Sequence, residues 1–276
     1  MLDSETIKKI EDFVYQKPRS IQEVSEHLGK NWRTVDRYIE EIGKSFGTIS
    51  VRVFREGTRG ALKVVYWSSV EKISHTIFQE KLEEEILKAR KKEDFSAFDI
   101  FQHVDSKKKK VTVEEREGDN LSELKKRFLT AQKQIFIFSG NLSFINLKNK
   151  KIVILDVLEE LVKKGVSIKV ICRVNLDGVK NIEKLLSLNF KYGKEMIEIR
   201  HSEQPLRAII YDEELATLKE VKEPTGKIHE LNKKIFIYYG IKDKEWIKWL
   251  KRIFWKIFNN SISAKKRIEE LNKLIK

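Results

Sequence analysis

Lys30, Asn31, Trp32, Arg33, Thr34 and Arg37 crowd into eight positions of this sequence, and they are side chains of the kind that grip a polyanion. The guanidinium forks of Arg33 and Arg37 suit guanine edges or phosphate oxygens, and the Thr34 hydroxyl suits a phosphate. Asp36 stands among them. It repels phosphates unless it accepts from a cytosine or pairs with Arg33 or Arg37. Trp32 is either a groove residue or a packing residue beside Lys30. A second group is more dispersed: Ser139, Asn141, Arg173, Asn175, Arg207, Asp212 and Tyr239. Ser139-Gly140-Asn141 follows an apolar run, and α/β sheets place ligands at the carboxyl ends of their strands. These residues either line a pocket for a small-molecule effector or are ordinary loop residues. The five histidines (27, 75, 103, 201 and 229) lack metal-ligand spacing, and no phosphate-binding glycine loop is present. Cys172 alone can form neither an internal disulfide nor a multi-thiolate site, and its apolar neighbours place it in a core. No metal and no cofactor is expected.

The elements that must position these groups follow from periodicity and caps. Residues 4–15 predict a helix, with Ser4 as cap and Ile7, Ile10, Phe13 and Val14 on one face. Ser20 and Glu23 have the capping-box spacing for a second helix over 21–28, and Gly29 suits its left-handed end. A third helix is expected from Asn31 to about Ile42, with Ile21, Val24 and Leu28 packing on Val35, Ile39 and Ile42. Two β-rich runs, 49–54 and 61–67, flank a turn holding Gly57, Arg59 and Gly60. Residues 70–92 predict one long charged helix, and 107–119, with Lys107–Lys110 and the acidic run after it, an exposed linker.

This order, with the string from Ser20 to Ile42, resembles the winged helix-turn-helix family. The resemblance implies that the outer face of the third helix enters a major groove, with Arg59 at the wing tip reaching an adjacent minor groove. Winged helices also serve as protein-interaction modules.

Beyond residue 118 helices and strands alternate, which predicts an α/β sandwich with a largely parallel sheet. The strand 135–139, the helix-Gly165-strand run from Leu158 to Val170, and Pro205-Leu206-Arg207-Ala208-Ile209-Ile210-Tyr211-Asp212 resemble one half of a phospholipase D-like domain. That family carries His-x-Lys-x-x-x-x-Asp, in which the histidine attacks or protonates and the lysine grips phosphate. Here Arg207 stands for the lysine, Asp212 for the aspartate, and Pro205 where the histidine belongs. His201 lies four residues too early, and no Gly-Ser follows Asp212. Proline can neither attack phosphorus nor donate a proton, so an enzyme is not expected; the alternative is a phosphodiesterase or nuclease of that fold directed to DNA. A degenerate phospholipase D-like domain behind a winged helix is similar to the archaeal TrmB-type regulators, which implies an effector or dimerisation role.

Composition agrees with a polyanionic partner. The 276 residues carry 56 Lys and Arg against 42 Asp and Glu, a net +14, and 41% hydrophobic residues suffice for real cores. No uncharged apolar run approaches the roughly 18–20 residues that span a bilayer, and the polar, acidic Met1–Glu5 is unlike a secretory leader. The expectation is therefore a cytoplasmic regulator that binds double-stranded DNA as a homodimer and no membrane. Its parts are a winged helix over 1–69, a helical connector and basic linker over 70–117, and the degenerate domain over 118–276. Trp255, about 150° from the apolar stripe of the last long helix, marks the dimer surface.

Overall fold

The computed structural model describes residues 2–45, 48–55, 61–67, 75–227 and 230–275. Helix α1 (Ser4–Gln16) is capped by Asp3 rather than Ser4, its carboxylate accepting from the Thr6 amide at 2.7 Å. A two-residue strand β1 (Arg19–Ser20) leads into α2 (Ile21–Leu28), where the Ser20–Glu23 capping box forms in both directions. Gly29 adopts φ 62°, open to glycine without strain, and closes α2 before α3 (Trp32–Ser45). Strands β2 (Ile49–Arg55) and β3 (Ala61–Trp67) pair antiparallel along their whole length, and β1 adds to β3, giving the order β1-β3-β2. Ile10, Val14, Ile21, Val24, Val35, Ile39, Ile42, Ile49 and Val65 are buried together beneath these elements, with Leu28 packed at the margin.

Helix α4 (His75–Lys88) is shorter than the helix expected over 70–92, whose first part, 70–74, lies outside the described residues. Its end has a cause: Asp94 turns back to accept from the Arg90 and Lys91 amides. Ser96 then caps α5 (Ala97–Gln102), which buries Ala97, Phe98, Ile100 and Phe101. The linker expected after it is a strand, β4 (Lys109–Glu114), hydrogen-bonded along the edge of the large sheet. Lys109 is not free in solvent either, since its ammonium donates to the Phe101 and Gln102 carbonyls. Burial lowers its pKa to about 8.

The remaining elements are α6 (Leu121–Thr130), β5 (Gln134–Phe138), α7 (Ile154–Lys163), β6 (Ser167–Cys172), α8 (Val179–Tyr192), β7 (Ile197–His201), β8 (Ala208–Tyr211), β9 (Leu215–Lys222), β10 (Ile235–Ile241), α9 (Lys244–Asn259), β11 (Ile262–Ser263) and α10 (Ala264–Ile275). The eight-stranded sheet runs β11-β7-β6-β5-β8-β9-β10-β4. It is mixed, not largely parallel. Among the described strands only β5–β6 and β6–β7 are parallel, because only these neighbours are joined by crossover helices. β8, β9 and β10 follow one another without a helix and pair antiparallel. Side-chain alternation splits the core. Ile135, Ile137, Ile168 and Val170 face α6, α7, α8 and α10, while Phe136, Phe138, Ile171 and Ile210 face α9.

Trp255 also differs from expectation. Its ring sits edge-on to Phe136 at 5.6 Å and to Phe258 at 5.5 Å, half-buried against the core of its own chain. An angle measured on an isolated helix omits the reach of an indole to the sheet below.

Asp212 has a structural task. At φ 51° in the β8–β9 turn, its carboxylate accepts from the amides of Gln132 (2.8 Å), Lys133 (3.0 Å) and Gln134 (2.8 Å), fixing the start of β5. Asp212→Ala removes all three acceptors and leaves alanine at a left-handed φ, which is expected to cost about 2–4 kcal/mol. The check is the urea midpoint; a loss under about 1 kcal/mol contradicts the assignment. Asp212→Asn, which keeps one acceptor oxygen and tolerates this φ, should recover part of it.

Candidate nucleic-acid face and ligand cavity

Helix α3 is held by its inner face and presents its outer one. The turn before it is fixed by Gly29 and by the buried Ser25 hydroxyl, which donates to the Lys30 carbonyl at 2.5 Å. Asn31 stands before its first turn, accepting from the Arg33 amide through Oδ1 at 2.9 Å. Val35, Ile39 and Ile42 are buried, while Lys30, Asn31, Arg33 and Arg37 are exposed and Thr34 is half-buried. Neither Arg33 nor Arg37 has a carboxylate partner among the described residues. Each leans on a neighbouring ring instead, Arg33 at 5.5 Å from the Trp32 centroid and Arg37 at 5.9 Å from that of Tyr38. Trp32 itself is half-buried against the N-terminal core. Asp36 pairs with none of its helix neighbours: it accepts from the Lys63 ammonium of β3 at 2.5 Å, with only 19% of its side chain exposed. The acidic group that would have opposed a polyanion is therefore neutralised by the strand behind it. Arg59 lies outside the described residues.

The second group of candidate residues is not one site. A cavity of about 260 Å³ opens between β4, α6, the loop leaving β5, and the β8–β10 strands. Of the sequence candidates, Ser139, Asn141 and Arg207 line it. Ser139 and Asn141 also shape their own loop, accepting from the Leu142 and Ser143 amides. Arg173 and Asn175 belong to the next loop. Asn175 accepts from the Gly178 amide at the start of α8, and Arg173 stands 3.9 Å from Glu203. Asp212 sits at the opposite end of the strands, in the turn already described. Tyr239 points to the other face of the sheet, fully buried, its hydroxyl donating to Glu220 at 3.1 Å.

Several lining groups were not found in the sequence: Glu114, Glu117, Arg127, Tyr211, Lys219 and Tyr238. The strand parity of β10 carries one signal that could have found them. Ile235, Ile237, Tyr239 and Ile241 share the buried face, so Tyr238 must take the cavity side. Burial pulls Lys219 below the ordinary ammonium range, opposed by the Glu117 carboxylate 2.5 Å away. Burial pushes Glu114 up, opposed by the Gly118 and Asn120 amides. Desolvation also raises Tyr211 and Tyr238, keeping both as neutral hydroxyls at neutral pH; the Tyr211 hydroxyl is buried without a partner among the described residues. Arg207 is half-buried, and its guanidinium makes no hydrogen bond or ion pair with any described residue.

Of the motif positions 201, 205, 207 and 212, only Arg207 lines this cavity. Pro205 is buried, next to Gln204, which bridges the Leu206 amide and the Ser139 carbonyl. His201 ends β7 away from the cavity, its Nδ1 accepting from the Val174 amide at 2.9 Å; burial and then Arg267 lower its pKa. The Cys172 thiol is pushed up to about 12 by burial, as a core thiol should be. Among the described residues no cluster of three or more His, Cys, Asp or Glu could hold a metal ion, and no helix is long and apolar enough to cross a membrane.

No family model matches the chain, and no curated protein matches it. Among solved structures, Nuc from Salmonella typhimurium, a phospholipase D family member, is similar at 14% identity and TM-score 0.39, covering 56% of this chain and 97% of its own. TrmBL2, an archaeal chromatin protein with a novel mode of DNA binding, is similar at 17% identity and TM-score 0.38, covering 94% of this chain and 93% of its own. NucT from Helicobacter pylori is similar at 12% identity and TM-score 0.38, covering 56% of this chain and 99% of its own.

Proposed function

We propose that the chain is a DNA-binding transcription regulator. In this reading, residues 1–69 act as a winged helix-turn-helix, and the eight-stranded part is a hydrolytically inactive phospholipase D-like module that takes an effector. The observation that carries the first half is the state of the α3 face. Two exposed guanidinium groups have no acidic partner among the described residues, and the one carboxylate between them is held back by Lys63. Forks in that state are free to meet phosphates or guanine edges without first breaking an ion pair. A reader of this kind gains from a twofold axis, since two copies then meet half-sites about 34–36 Å apart, and a homodimer is part of the proposal.

The effector half has a route to the reader. The β9–β10 hairpin lines the cavity with Lys219, Phe236 and Tyr238, and beyond its strands Lys227 reaches Glu26 of α2 at 2.5 Å. One exposed ion pair carries little energy by itself. It does place the hairpin against the helix that orients α3.

Arg33→Ala and Arg37→Ala are each expected to weaken binding to a selected duplex by about 1–3 kcal/mol, which is roughly 5- to 150-fold. Fluorescence anisotropy reads this directly, and unchanged affinity in both variants would remove the reader assignment. Purified protein is expected not to hydrolyse bis(4-nitrophenyl) phosphate, because proline stands where the family's histidine belongs. Turnover that disappears in Arg207→Ala would establish the phosphodiesterase reading instead.

A further inference from the structure

We propose that the cavity binds a small monocarboxylic acid with an apolar body, its carboxylate held by the Arg207 guanidinium. The inference rests on the effector half of the proposed function and gives that effector a chemical class.

Charge decides the head group. Among the described residues five cations line the cavity, and four of them are already paired: Lys219 with Glu117 at 2.5 Å, Arg127 with Glu123 at 3.3 Å, Lys234 with Glu223 at 2.8 Å and Lys92 with Glu93 at 3.4 Å. Arg207 alone is left over, half-buried and unpaired among the described residues. A guanidinium taken from water without an acceptor is costly, and a planar carboxylate satisfies its fork with two parallel hydrogen bonds. A second negative charge on the guest would find no second unpaired cation among the described residues of the lining and would share the cavity with Glu114. A phosphate dianion is thereby disfavoured. A neutral polyol would leave the guanidinium without a charge partner.

The body of the guest follows from the apolar part of the lining. Leu124, Phe144, Leu147, Val221 and Phe236 offer it ring and alkyl surface. The volume, about 260 Å³, falls just under the ~300 Å³ at which pockets for drug-sized ligands begin. The guest is therefore smaller than a drug-sized ligand. Tyr238 adds a neutral hydroxyl to the same cavity.

Isothermal titration of the full chain without DNA tests this, with phenylacetate and hexanoate as probes, and methyl phenylacetate and phenyl phosphate as controls. Both acids are expected to bind with Kd of about 1 mM or tighter, and both controls at least about tenfold more weakly. Arg207→Gln should weaken the acids by about tenfold or more, the effect of losing a charged hydrogen bond. Arg207→Lys, which keeps the charge and loses the fork, should fall between and covers the case in which the glutamine variant does not fold. No heat from either acid at about 10 mM overturns the proposal. So does phenyl phosphate binding tighter than phenylacetate, or unchanged affinity in both variants. Because DNA is absent from the measurement, its failure leaves the reading of α3 standing, and failure of DNA binding leaves this result standing.

Discussion

Phe98, on the short helix α5, packs against Phe54 and Tyr66 of the β2–β3 ribbon and, on its other side, against Tyr239 of the large sheet, with ring centroids 5.3–6.3 Å apart. This edge-to-face cluster is what makes one body of two sets of elements, since Phe54 and Leu62 of the ribbon are buried in the same core as α9 and β10. Without it the ribbon would expose an aromatic face, and β10 would lose the cover of Tyr239. The position of α3 relative to the cavity depends on that packing more than on any surface ion pair.

Strand β10 is therefore read from both sides. Its inward residues Ile235, Ile237, Tyr239 and Ile241 belong to the core shared with the ribbon, and its outward residues Phe236 and Tyr238 belong to the cavity. In the proposed reading, a guest that shifts the outward face also acts on the inward one, because packed interiors transmit small displacements. The same hairpin ends against Glu26 of α2. Two physical contacts thus run from the cavity wall to the elements around α3.

Local rules made much of the fold legible. The Ser20–Glu23 capping box, the left-handed Gly29 and the apolar positions 35, 39 and 42 of α3 all read as they fold. What was not legible depends on pairing between distant residues. The mixed sheet arises because β8 returns antiparallel to β5 across about 70 residues of sequence, which no periodicity encodes. Strand β4 reads as a charged linker because an edge strand carries solvent-facing lysines such as the exposed Lys110. The Asp36–Lys63 pair joins a helix to a strand 27 positions away, so the apparent conflict on the α3 face could only be resolved in three dimensions. Of the candidate pocket, Ser139, Asn141 and Arg207 were found because a strand end and an arginine are visible locally. Tyr239 faces the core by the parity of its strand, and it is Tyr238 that lines the cavity.

The central claim is that the α3 face reads a base sequence. Selection of bound duplexes from a random pool, followed by salt-titrated anisotropy on the selected and a scrambled duplex, tests it most directly. The selected duplex is expected to bind about 10³-fold or more tightly than the scrambled one, with both affinities falling as salt rises. Equal affinity for the two duplexes at every salt concentration would contradict it.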